Sequence, residues 1–599
     1  MKFEATRRDC TARIGKLDIG KDEILTPGIL WYSSDRIKAP SFASFFLSGG
    51  GGGVGKGDSN YISSSGSFFH PRDAEGEAVI PPSFVMPYAF PSEMHSESAD
   101  WNEKHASSIQ VISGRALDKI SGDATIYVLS NARELFSNPR NFARAVTAVR
   151  EAIGYQKVLY APGLGEPSHL AMLSYMTVDM FDSISLVENA RRGVFLFAEG
   201  KVDSGSMDEM QCSCPSCLEG DRSFSGILSH NYHAAFSEIR RVRNAIRNGE
   251  LRNLVETRAS SQPEIASMLR ILDGEYYEFQ ERRYPSVGGR VVASPLSLDR
   301  PDIERFRRRV VGRYARPDSA KILVLLPCSA RKPYSFSRSH RIFRRAIESC
   351  GNPEVVHRVV VTSPLGIVPI ELEMAYPAAH YDISVTGEWS HEEQEMVRSQ
   401  LDAYLKKNRY DIVIDHLPDE ISSFIDVDGT RTCDGHPTSP SSMDGLSSVL
   451  GKESAGYERI SPNKRKFEDV KSLVSYQFGD SSIIDGCTVR GKYPNYKIFC
   501  DGRQIGMVVG SRGLVSLTLE GGRRLAETGS YRVEIDDFIP RGSIFAVGVT
   551  DADKNIRCGD EVVVLHDGDV RAVGVAAMGG EEMVASKSGE AVKVRHHKK

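Results

Sequence analysis

The sequence predicts a multidomain α/β protein that ends in an all-β segment. At roughly 100–200 residues per domain, 599 residues correspond to about three to five domains, each long enough to bury its own core. Between residues 124 and 163, two strand-like apolar segments flank a helix-like segment, and this order favours a parallel sheet. From about residue 470 the pattern changes to short alternating strands separated by glycine turns.

The composition excludes several classes of protein. Hydrophobic residues make up 40% of the chain and charged residues 26%, which rules out wholesale disorder and fibrous repeats. No uncharged apolar run reaches about 18 residues, and the N-terminal MKFEATRRDC lacks an apolar segment, so we expect a cytoplasmic protein without membrane contact. With a formal net charge of −4, binding of nucleic acid must depend on local basic patches.

The first α/β domain is predicted over residues 1–285. ATIYVLSNA (124–132) and KVLYAPG (157–163) are predicted strands on either side of the helix NPRNFARAVTAVREAIG (138–154). The segment SGGGGGVGKGDS (48–59) resembles a phosphate-binding loop, but Gly57 stands where that loop requires Ser or Thr. A flexible glycine loop is the better interpretation, and we expect no nucleotide cofactor.

A second α/β domain is predicted over residues 300–426. Three apolar segments are predicted to be strands: KILVLLP, HRVVVTSP and YDIVIDHLP. Two helix-like segments separate them. Residues 427–470 are rich in Gly, Ser, Pro and Asp, which predicts a flexible linker.

Three cysteines, Cys212, Cys214 and Cys217, lie within six residues, a spacing that indicates a metal site in a reducing compartment. Zinc requires a fourth ligand, for which His230 and His233 are the candidates. A site with four protein ligands has no open position for water, so we predict a structural zinc ion. The other seven cysteines are by default small buried hydrophobic residues: Cys10, Cys328, Cys350, Cys433, Cys487, Cys500 and Cys558.

This cysteine spacing, followed by His230–Asn231 and IRNGELRNLVETRA (246–259), resembles the zinc segment of tRNA-guanine transglycosylases. TVDMFDSISLVENARRG (177–193) resembles their D-x-F-D-S strand end, with Asp179 aligned on the nucleophilic aspartate. The resemblance implies a (β/α)8 barrel that exchanges a guanine in tRNA for a 7-deazaguanine. However, SSSGSFFHP (63–71) has serine where that family places its general base. We therefore expect a degenerate barrel in which Asp179 is a relic.

The C-terminal segment resembles a PUA domain, a small pseudo-barrel that binds structured RNA, in VEIDDFIPRGSIFAVGV, IRCGDEVVV, AVGVAAM and SGEAVKVRH. The preceding YKIFCDGRQIGMVVGSRGLVSLTLEGGRRL resembles the linker domain before PUA in archaeal transglycosylases. The resemblance implies a small α/β domain over residues 471–530 and an RNA-binding PUA domain over residues 531–599.

The segment PCSARKPYSFSRSH (327–340) is the best candidate for an active site. Cys328 follows the apolar strand ILVLL, and ligands of open α/β sheets bind at the carboxyl ends of strands. Lys332 and five arginines, without an intervening acid, favour a thiolate: Arg331, Arg338, Arg341, Arg344 and Arg345. The alternative is a buried inert cysteine beside a solvated basic helix.

The pattern P-C-x-x-x-K-P-Y-x-x-S-x-x-H resembles the signature of archaeosine synthases, and IELEMAYPAAHYDISVTGEW (370–389) resembles their second block. The resemblance implies addition of a nitrogen nucleophile to the nitrile of 7-cyano-7-deazaguanine in the D-loop of tRNA. The implied donor is the side-chain amine of lysine, otherwise glutamine-derived or free ammonia. A radical SAM partner enzyme then cleaves the lysine adduct, and we also expect a homodimer.

The catalytic candidates in this segment are Cys328, Lys332, Tyr334, Ser337 and His340. The Cys328 thiolate is predicted to form a thioimidate that the amine displaces, with His340 and Tyr334 as acid–base groups. The candidates for binding a donor amine are Glu371, Glu373, Asp382 and Glu388, and the alternative is that they are solvated carboxylates. Direct attack by the amine, with Cys328 only orienting the substrate, is the alternative mechanism.

Two basic segments predict an RNA-binding surface. ERFRRRVVGRYAR (304–316) and residues 331–345 are rich in arginine and interleaved with aromatic residues, a mixture typical of RNA contact. An exposed basic helix without a special role is the alternative for the first segment. For the whole chain, the alternatives to amidine formation are an active tRNA-guanine transglycosylase and a non-catalytic tRNA-binding protein.

Overall fold

The computed structural model describes residues 1–48, 60–67, 69–74, 76–383 and 388–599, so most of the predicted glycine loop at 48–59 lies outside the described residues. The chain forms two compact units: Met1–Tyr284 with Ala585–Gly589, and Pro285–Val584 with Glu590–Lys599. Among the described residues, no helix combines the length and the apolar character that a membrane crossing requires.

The first unit contains a nearly closed barrel of eight parallel strands, as predicted. Its strands follow one another around the barrel in sequence order: Gly28–Ser33, Phe46–Ser48, Tyr61–Ser64, Ala78–Ile80, Ile109–Ile112, Ile126–Leu129, Val158–Tyr160 and Met180–Asp182. Every second residue, such as Ile109, Val111 and Ile126, points into one apolar core. An antiparallel sheet precedes the barrel: Lys2–Asp9, Ala12–Ile19 and Asp22–Thr26.

The helices around this barrel are unevenly distributed. No helix lies among the described residues between the first four barrel strands, whereas helices follow most of the later ones. The unit also has two hairpins: Gly66–Ser67 with His70–Pro71, and Val194–Phe197 with Gly200–Asp203. Its helices are Ser92–Lys104, Ala132–Phe136, Pro139–Ile153, Pro167–Tyr175, Ile184–Arg191, Pro215–Leu218, Phe224–Asn248, Leu251–Ala259, Pro263–Glu275 and Tyr277–Glu281.

The second unit begins with an open α/β sheet, here called the central domain. Its five strands lie in the order Gly366–Pro369, Val356–Thr362, Ile322–Pro327, Ile412–Asp415 and Thr430–Arg431, and all but the first run parallel. Alternate residues of Ile322–Pro327 face two different apolar cores, because helices cover both faces of the sheet. Its helices are Pro301–Gly312, Arg338–Glu348, His391–Lys407 and Asp419–Ser422, and Val291–Val292 pairs with Tyr381–Asp382.

The flexible linker predicted over residues 427–470 is wrong, because helices occupy most of it. Pro440–Ser454 buries Leu446 and Leu450 in the core of the central domain, and Pro462–Phe478 follows it. The side chains of Ser439 and Ser461 each accept a hydrogen bond from a backbone N–H in the first turn of the helix that follows. Proline occupies the first position of both helices. Serine and proline, which suggested a linker, are here helix-start residues.

Two β-rich domains complete the second unit. The first is an antiparallel sheet, Thr488–Lys492, Asn495–Cys500, Arg503–Val509 and Leu514–Leu517, covered by the helix Leu519–Glu527. The second is a six-stranded sheet in the order Ile544–Phe545, Glu590–His597, Asp569–Ala576, Glu561–His566, Arg532–Ile535 and Val549–Ala552, with the helix Gly580–Ala585. Of the scattered cysteines, Cys10 and Cys433 are buried, Cys350 and Cys558 are half-buried, and Cys487 and Cys500 form a disulfide.

Candidate active site

A cavity of about 630 Å³ opens at the carboxyl end of the strand Ile322–Pro327, and Cys328 lines it. We call it the Cys328 cavity. This is the sheet edge at which the sequence predicted a ligand. Polar and aromatic residues from several elements also line it: Ser363, Glu388, Trp389, Glu392, Glu393, Glu420 and His436.

The predicted motif forms a turn that leads from the strand into the helix Arg338–Glu348. Ser337 is the N-cap of this helix, and its Oγ accepts a hydrogen bond of 3.2 Å from the His340 backbone N–H. His340 Nε2 lies 3.0 Å from the carbonyl oxygen of Pro327, which ties the helix to the end of the strand. Of the five predicted catalytic residues, Cys328 alone lines the cavity. Ser337 and His340 are buried in the turn and the helix start, where they position Cys328.

The Cys328 thiol is protonated more readily than the sequence suggested. Burial raises the pKa of Cys328 above its ordinary value, and only partial compensation comes from Lys332 and from the Thr362 hydroxyl. The expectation that neighbouring arginines favour a thiolate is wrong, because Arg331, Arg338, Arg341 and Arg345 are solvent-exposed. Cys328 therefore needs a base when it acts as a nucleophile.

Lys332 is suited to be that base. Its Nζ is buried, has no hydrogen-bond partner within the described part of the chain, and lies 4.1 Å from the centre of the Tyr381 ring. Burial lowers the pKa of Lys332, against smaller opposing effects of Cys328 and Asp382. An amine with a lowered pKa can accept a proton at lower pH than an exposed lysine can.

Tyr334 belongs to a chain of buried hydroxyl groups. Its hydroxyl lies 2.6 Å from that of Tyr381, which lies 2.6 Å from the hydroxyl of Thr362. Burial raises the pKa of Tyr334 well above its ordinary value, so it remains a neutral hydroxyl. Thr362, at the end of the neighbouring strand, connects this chain to Cys328. Sequence analysis did not identify Thr362 or Tyr381, although Tyr381 lies in the second block.

His340 is neutral at physiological pH. Burial lowers its pKa to about 4, with a further contribution from Arg358, and the carbonyl of Pro327 opposes the shift only weakly. Its Nδ1 is buried and has no hydrogen-bond partner among the described residues. A neutral imidazole cannot supply a proton as an imidazolium, so the predicted acid role of His340 is not supported.

Four carboxylates form what we call the acidic wall of the cavity: Glu388, Glu392, Glu393 and Glu420. No lysine or arginine stands among the described residues that line the cavity. Glu393 caps its helix by accepting a 2.8 Å bond from the Ser390 N–H and also accepts a bond from the Ser363 hydroxyl. Only Glu388 was predicted; the helix start S-x-x-E at 390–393 was the available signal for Glu393.

The other predicted donor-binding carboxylates lie outside the Cys328 cavity. Glu371 is buried and accepts bonds of 2.9 Å from the Tyr314 hydroxyl and 3.0 Å from His357 Nε2, with Arg465 nearby. Glu373 accepts a 2.7 Å bond from the Ser335 N–H. Asp382 is exposed and pairs with Arg290. Glu371 and Glu373 thus support the fold behind the motif, and neither borders the cavity in which a donor would bind.

Only one of the two basic segments forms an exposed basic surface. In residues 304–316, Arg305 and Arg307 are buried, Arg307 and Arg308 pair with Glu304, and Tyr314 is fully buried. The RNA surface predicted there is therefore wrong. By contrast, Arg338, Arg341 and Arg345 are exposed on their helix, and Phe336 beside them is 42% exposed. We call these three arginines the basic helix face.

The predicted metal ligands converge in the first unit. One ligand atom from each of Cys212, Cys214, Cys217 and His230 lies within 4.8 Å of all the others. His230 Nε2 lies 3.0 Å from the carbonyl of Leu196, which leaves Nδ1 for the cluster, 3.3 Å from Cys217 Sγ. His233 Nδ1 instead contacts the Ser229 carbonyl. This donor set and geometry fit a tetrahedral metal ion.

Asp179, which the resemblance aligned on the nucleophilic aspartate, does not lie at the carboxyl end of its barrel strand. Asp179 precedes the strand Met180–Asp182 and is buried between Arg13 and Arg150 at 2.9 and 2.7 Å. These arginines lower the pKa of Asp179 although burial alone would raise it. Asp182 is the residue at the carboxyl end, where barrel enzymes act. Its oxygens accept bonds of 2.7, 2.8 and 2.9 Å from Tyr160, Gly163 and Ile184.

Family models match three parts of this chain. A domain of unknown function, DUF5591, matches residues 303–450, queuine tRNA-ribosyltransferase matches residues 110–264, and the PUA domain matches residues 531–598. The first of these contains the Cys328 segment, and the second contains Asp182 and the cysteine cluster. The predicted transglycosylase-like barrel and PUA domain are confirmed.

Two of the curated relatives match the chain over nearly its whole length, and a third matches part of it. Archaeosine synthase of Haloferax volcanii is 33% identical over 99% of this chain and 99% of its own. Archaeosine synthase subunit alpha of Methanosarcina acetivorans is 33% identical over 100% of this chain and 99% of its own. A tRNA-guanine(15) transglycosylase of Methanothermobacter thermautotrophicus is 29% identical over 72% of this chain and 65% of its own.

Proposed function

The chain belongs to the archaeosine synthase family, and we propose that it adds an amine to the nitrile of 7-cyano-7-deazaguanine in tRNA. The observation that carries this proposal is the Cys328 cavity, in which a thiol and an acidic wall face the same space. A volume of about 630 Å³ is within the usual range for small-molecule sites, roughly 300–1,000 Å³. A modified base and a donor amine can therefore occupy it together.

The acidic wall supports a cationic donor. An ammonium group is stabilised by nearby carboxylates, whereas a phosphate group would be repelled by them. Lysine carries two amines, so its α-ammonium group can bind Glu393 or its neighbours while the side-chain amine reaches the nitrile and the α-carboxylate faces solvent. Free ammonia or ammonia derived from glutamine would use only a small part of this volume. We therefore propose lysine as the donor.

The chemistry is balanced without ATP or an oxidant. The Cys328 sulfur forms a bond to the nitrile carbon, one π bond of the nitrile breaks, and the thiol proton passes through Lys332 to the nitrile nitrogen. The donor amine then forms a bond to the same carbon, the carbon–sulfur bond breaks, and a proton of the amine returns to sulfur. The products are an amidine and the original thiol. Thr362, Ser337 and His340 position Cys328 during these steps.

Two surfaces of the second unit support binding of tRNA. The basic helix face supplies three exposed arginines beside the motif, and Phe336 offers an exposed ring on which a base can stack. The PUA domain at residues 531–598 supplies a second contact. Repulsion by the acidic wall keeps the phosphates outside the cavity, so only the target base enters it.

Further parts of the proposal concern the metal and the partners. Zinc at the cluster would be held by Cys212, Cys214, Cys217 and His230 Nδ1, a closed set that gives it a structural role. A radical SAM partner enzyme would then cleave the lysine adduct, as the family resemblance implies. The homodimer stays a prediction, which light scattering of the purified protein tests.

Mass spectrometry of tRNA tests the reaction directly. Transfer RNA that contains 7-cyano-7-deazaguanine is incubated with the protein and, separately, with lysine, glutamine or ammonium. We expect the tRNA mass to increase by one intact lysine only in the lysine reaction. If ammonia adds to the tRNA in every reaction, ammonia and not lysine is the donor. If labelled guanine is exchanged and no adduct forms, the protein is a transglycosylase.

A further inference from the structure

A second, smaller pocket of about 240 Å³ lies behind the motif, within the second unit. It is bordered by Arg344, Arg358, Glu373, Tyr493 and Tyr496, and we call it the Arg358 pocket. We propose that it binds an unstacked nucleotide of the tRNA, with the phosphate on the two arginines and the base against the tyrosines. The inference rests on tRNA as the substrate and is independent of the role of Cys328.

The arginines of this pocket have unused hydrogen-bonding capacity. Arg358 Nη1 and Arg344 Nε are buried atoms without a hydrogen-bond partner among the described residues. The carboxylate of Glu348 lies 3.6 Å from Arg344 Nε, beyond hydrogen-bond distance. Leaving such donors unpaired in a buried position costs free energy unless a ligand supplies an acceptor. Phosphate oxygens are strong acceptors for arginine.

The carboxylates that border the same pocket are already occupied. Glu373 accepts bonds from the Ser335 N–H and the Tyr493 hydroxyl. Glu371 binds Tyr314, His357 and Arg465, and Asp469 lies 2.6 Å from Arg465 Nε. Glu373 keeps its negative charge, which the two arginines offset, and Arg465 offsets Glu371 and Asp469. The donors that lack a partner, Arg344 Nε and Arg358 Nη1, both belong to arginines, so the ligand that can pair with them is an anion.

Two tyrosines make an anionic nucleotide a better fit than a bare anion. The rings of Tyr493 and Tyr496 are 6.4 Å apart and inclined by 61°, and Tyr493 is 42% exposed. An exposed ring beside a cationic group is the arrangement that binds unstacked bases in single-stranded RNA. A pocket of about 240 Å³ has space for one base with its phosphate.

The position of the pocket favours the tRNA over a free nucleotide. Ser339 and Phe343 of the helix Arg338–Glu348 line the Cys328 cavity, and Arg344 of the same helix lines the Arg358 pocket. The basic helix face lies on this helix too. A base that reacts at Cys328 must leave its stack, and extrusion exposes neighbouring bases. The second pocket would hold one of them while the first reacts.

Arginine substitutions test the phosphate contact. We expect Arg358→Gln and Arg344→Gln each to weaken binding of cyano-modified tRNA about tenfold and to lower the salt slope by about one unit. Arg398→Gln removes an equal charge from the exposed part of the helix His391–Lys407 and should change neither value. Unchanged affinity in both pocket variants, or an equal loss in all three, would overturn the proposal.

Tyrosine substitutions and competition by a free anion distinguish the contribution of the base to binding from that of the phosphate. We expect Tyr493→Ala to weaken tRNA binding about fivefold and Tyr493→Phe, which keeps the ring, to bind normally. Equal binding by both variants would contradict the stacking. Inorganic phosphate that competes with tRNA less well than 5′-GMP supports a nucleotide site; phosphate competing equally well would overturn it. All binding is measured in Cys328→Ala protein, so a lack of adduct formation contradicts only the proposed function.

Discussion

In the barrel, the parallel strand Met180–Asp182 ends in a carboxylate, and in the central domain the parallel strand Ile322–Pro327 leads to a thiol. Both residues stand where α/β proteins commonly place reactive groups. Their surroundings differ. Asp182 is fully buried and its oxygens accept three hydrogen bonds from its own domain. Cys328 faces a cavity of about 630 Å³.

The polar atoms near each residue show the same difference. Around Cys328, Lys332 Nζ and His340 Nδ1 are buried without hydrogen-bond partners in the described residues, at a cost of about 1–3 kcal/mol each. Around Asp182, the fold itself satisfies the carboxylate. Lys332, unlike the Asp182 carboxylate, therefore has hydrogen-bonding capacity left for a ligand, and we predict that Cys328 reacts and that Asp182 does not.

The largest effect is expected at Cys328. Cys328→Ala removes the nucleophile, so adduct formation should fall by at least about 10⁴-fold, to the limit of detection, while tRNA affinity and metal content stay normal. Mass spectrometry of the tRNA measures this loss. Cys350→Ala, a half-buried cysteine on the same domain, is the matched control and should be nearly silent. Substantial activity of Cys328→Ala would favour direct attack by the amine.

The next prediction concerns the metal cluster of the first unit, which we expect to stabilise the fold and not to take part in the reaction. We expect one zinc ion per chain in purified protein, and Cys214→Ser should destabilise the first unit by several kcal/mol because three ligands bind zinc less tightly than four. Metal analysis and thermal unfolding measure both effects. Adduct formation by the folded variant should persist. If zinc-free protein unfolds at the same temperature as zinc-loaded protein, the metal has no structural role.

The pH dependence of stability tests the burial of His340. Its pKa of about 4 in the folded protein lies below the ordinary value of 6.5, so the unfolded chain binds more protons between these values. The resulting stabilisation, about 3 kcal/mol, is complete above pH 6.5 and is lost as the pH falls towards 4. Thermal unfolding of His340→Gln should therefore depend less on pH than that of wild type. His391→Gln, an exposed residue, is the control and should not flatten the profile.

Lys332 provides the next smaller effect. Lys332→Met removes the proposed base but leaves the thiol, so we expect the rate to fall about 100-fold. The rate of the variant should recover partly at alkaline pH. The pH then exceeds the raised pKa of Cys328, so the thiol loses its proton without a neighbouring base. Rates from pH 6 to 10 test this. A rate equal to that of wild type at every pH would exclude Lys332 as the base.

The sequence predicted the architecture well because the domains have strong local patterns. The apolar segment at 321–327 follows one secondary-structure period, and the spacing of three cysteines predicted the metal cluster, with His230 and His233 both open as the fourth ligand. The barrel was predicted from motifs that resemble those of tRNA-guanine transglycosylases. Cys328 follows that apolar segment, but its prediction as a nucleophile depended on the resemblance of residues 327–340 to the archaeosine synthase signature. These features depend on neighbours in the sequence, which a single chain displays.

The remainder of the site depends on tertiary burial, which local patterns do not contain. The arginines at 304–316 were predicted to be exposed, but several are buried against carbonyl groups and Glu304. The thiolate prediction failed for the same reason, since burial outweighs charge at Cys328. Glu392 and Glu393 lie more than 60 residues from Cys328, on a helix that only the folded sheet brings to the cavity.

The smallest effect is expected at the strand end of the barrel. Asp182→Asn keeps the shape of the side chain but removes its charge, so a transglycosylase that uses this residue as its nucleophile would lose all activity. In a scaffold the carboxylate only accepts hydrogen bonds from Tyr160, Gly163 and Ile184. We therefore expect lysine addition to proceed at nearly the wild-type rate, with unfolding a few degrees lower. If Asp182→Asn abolishes the reaction in folded protein while Cys328→Ala does not, the barrel is the active domain and the assignment of the two strand ends must be reversed.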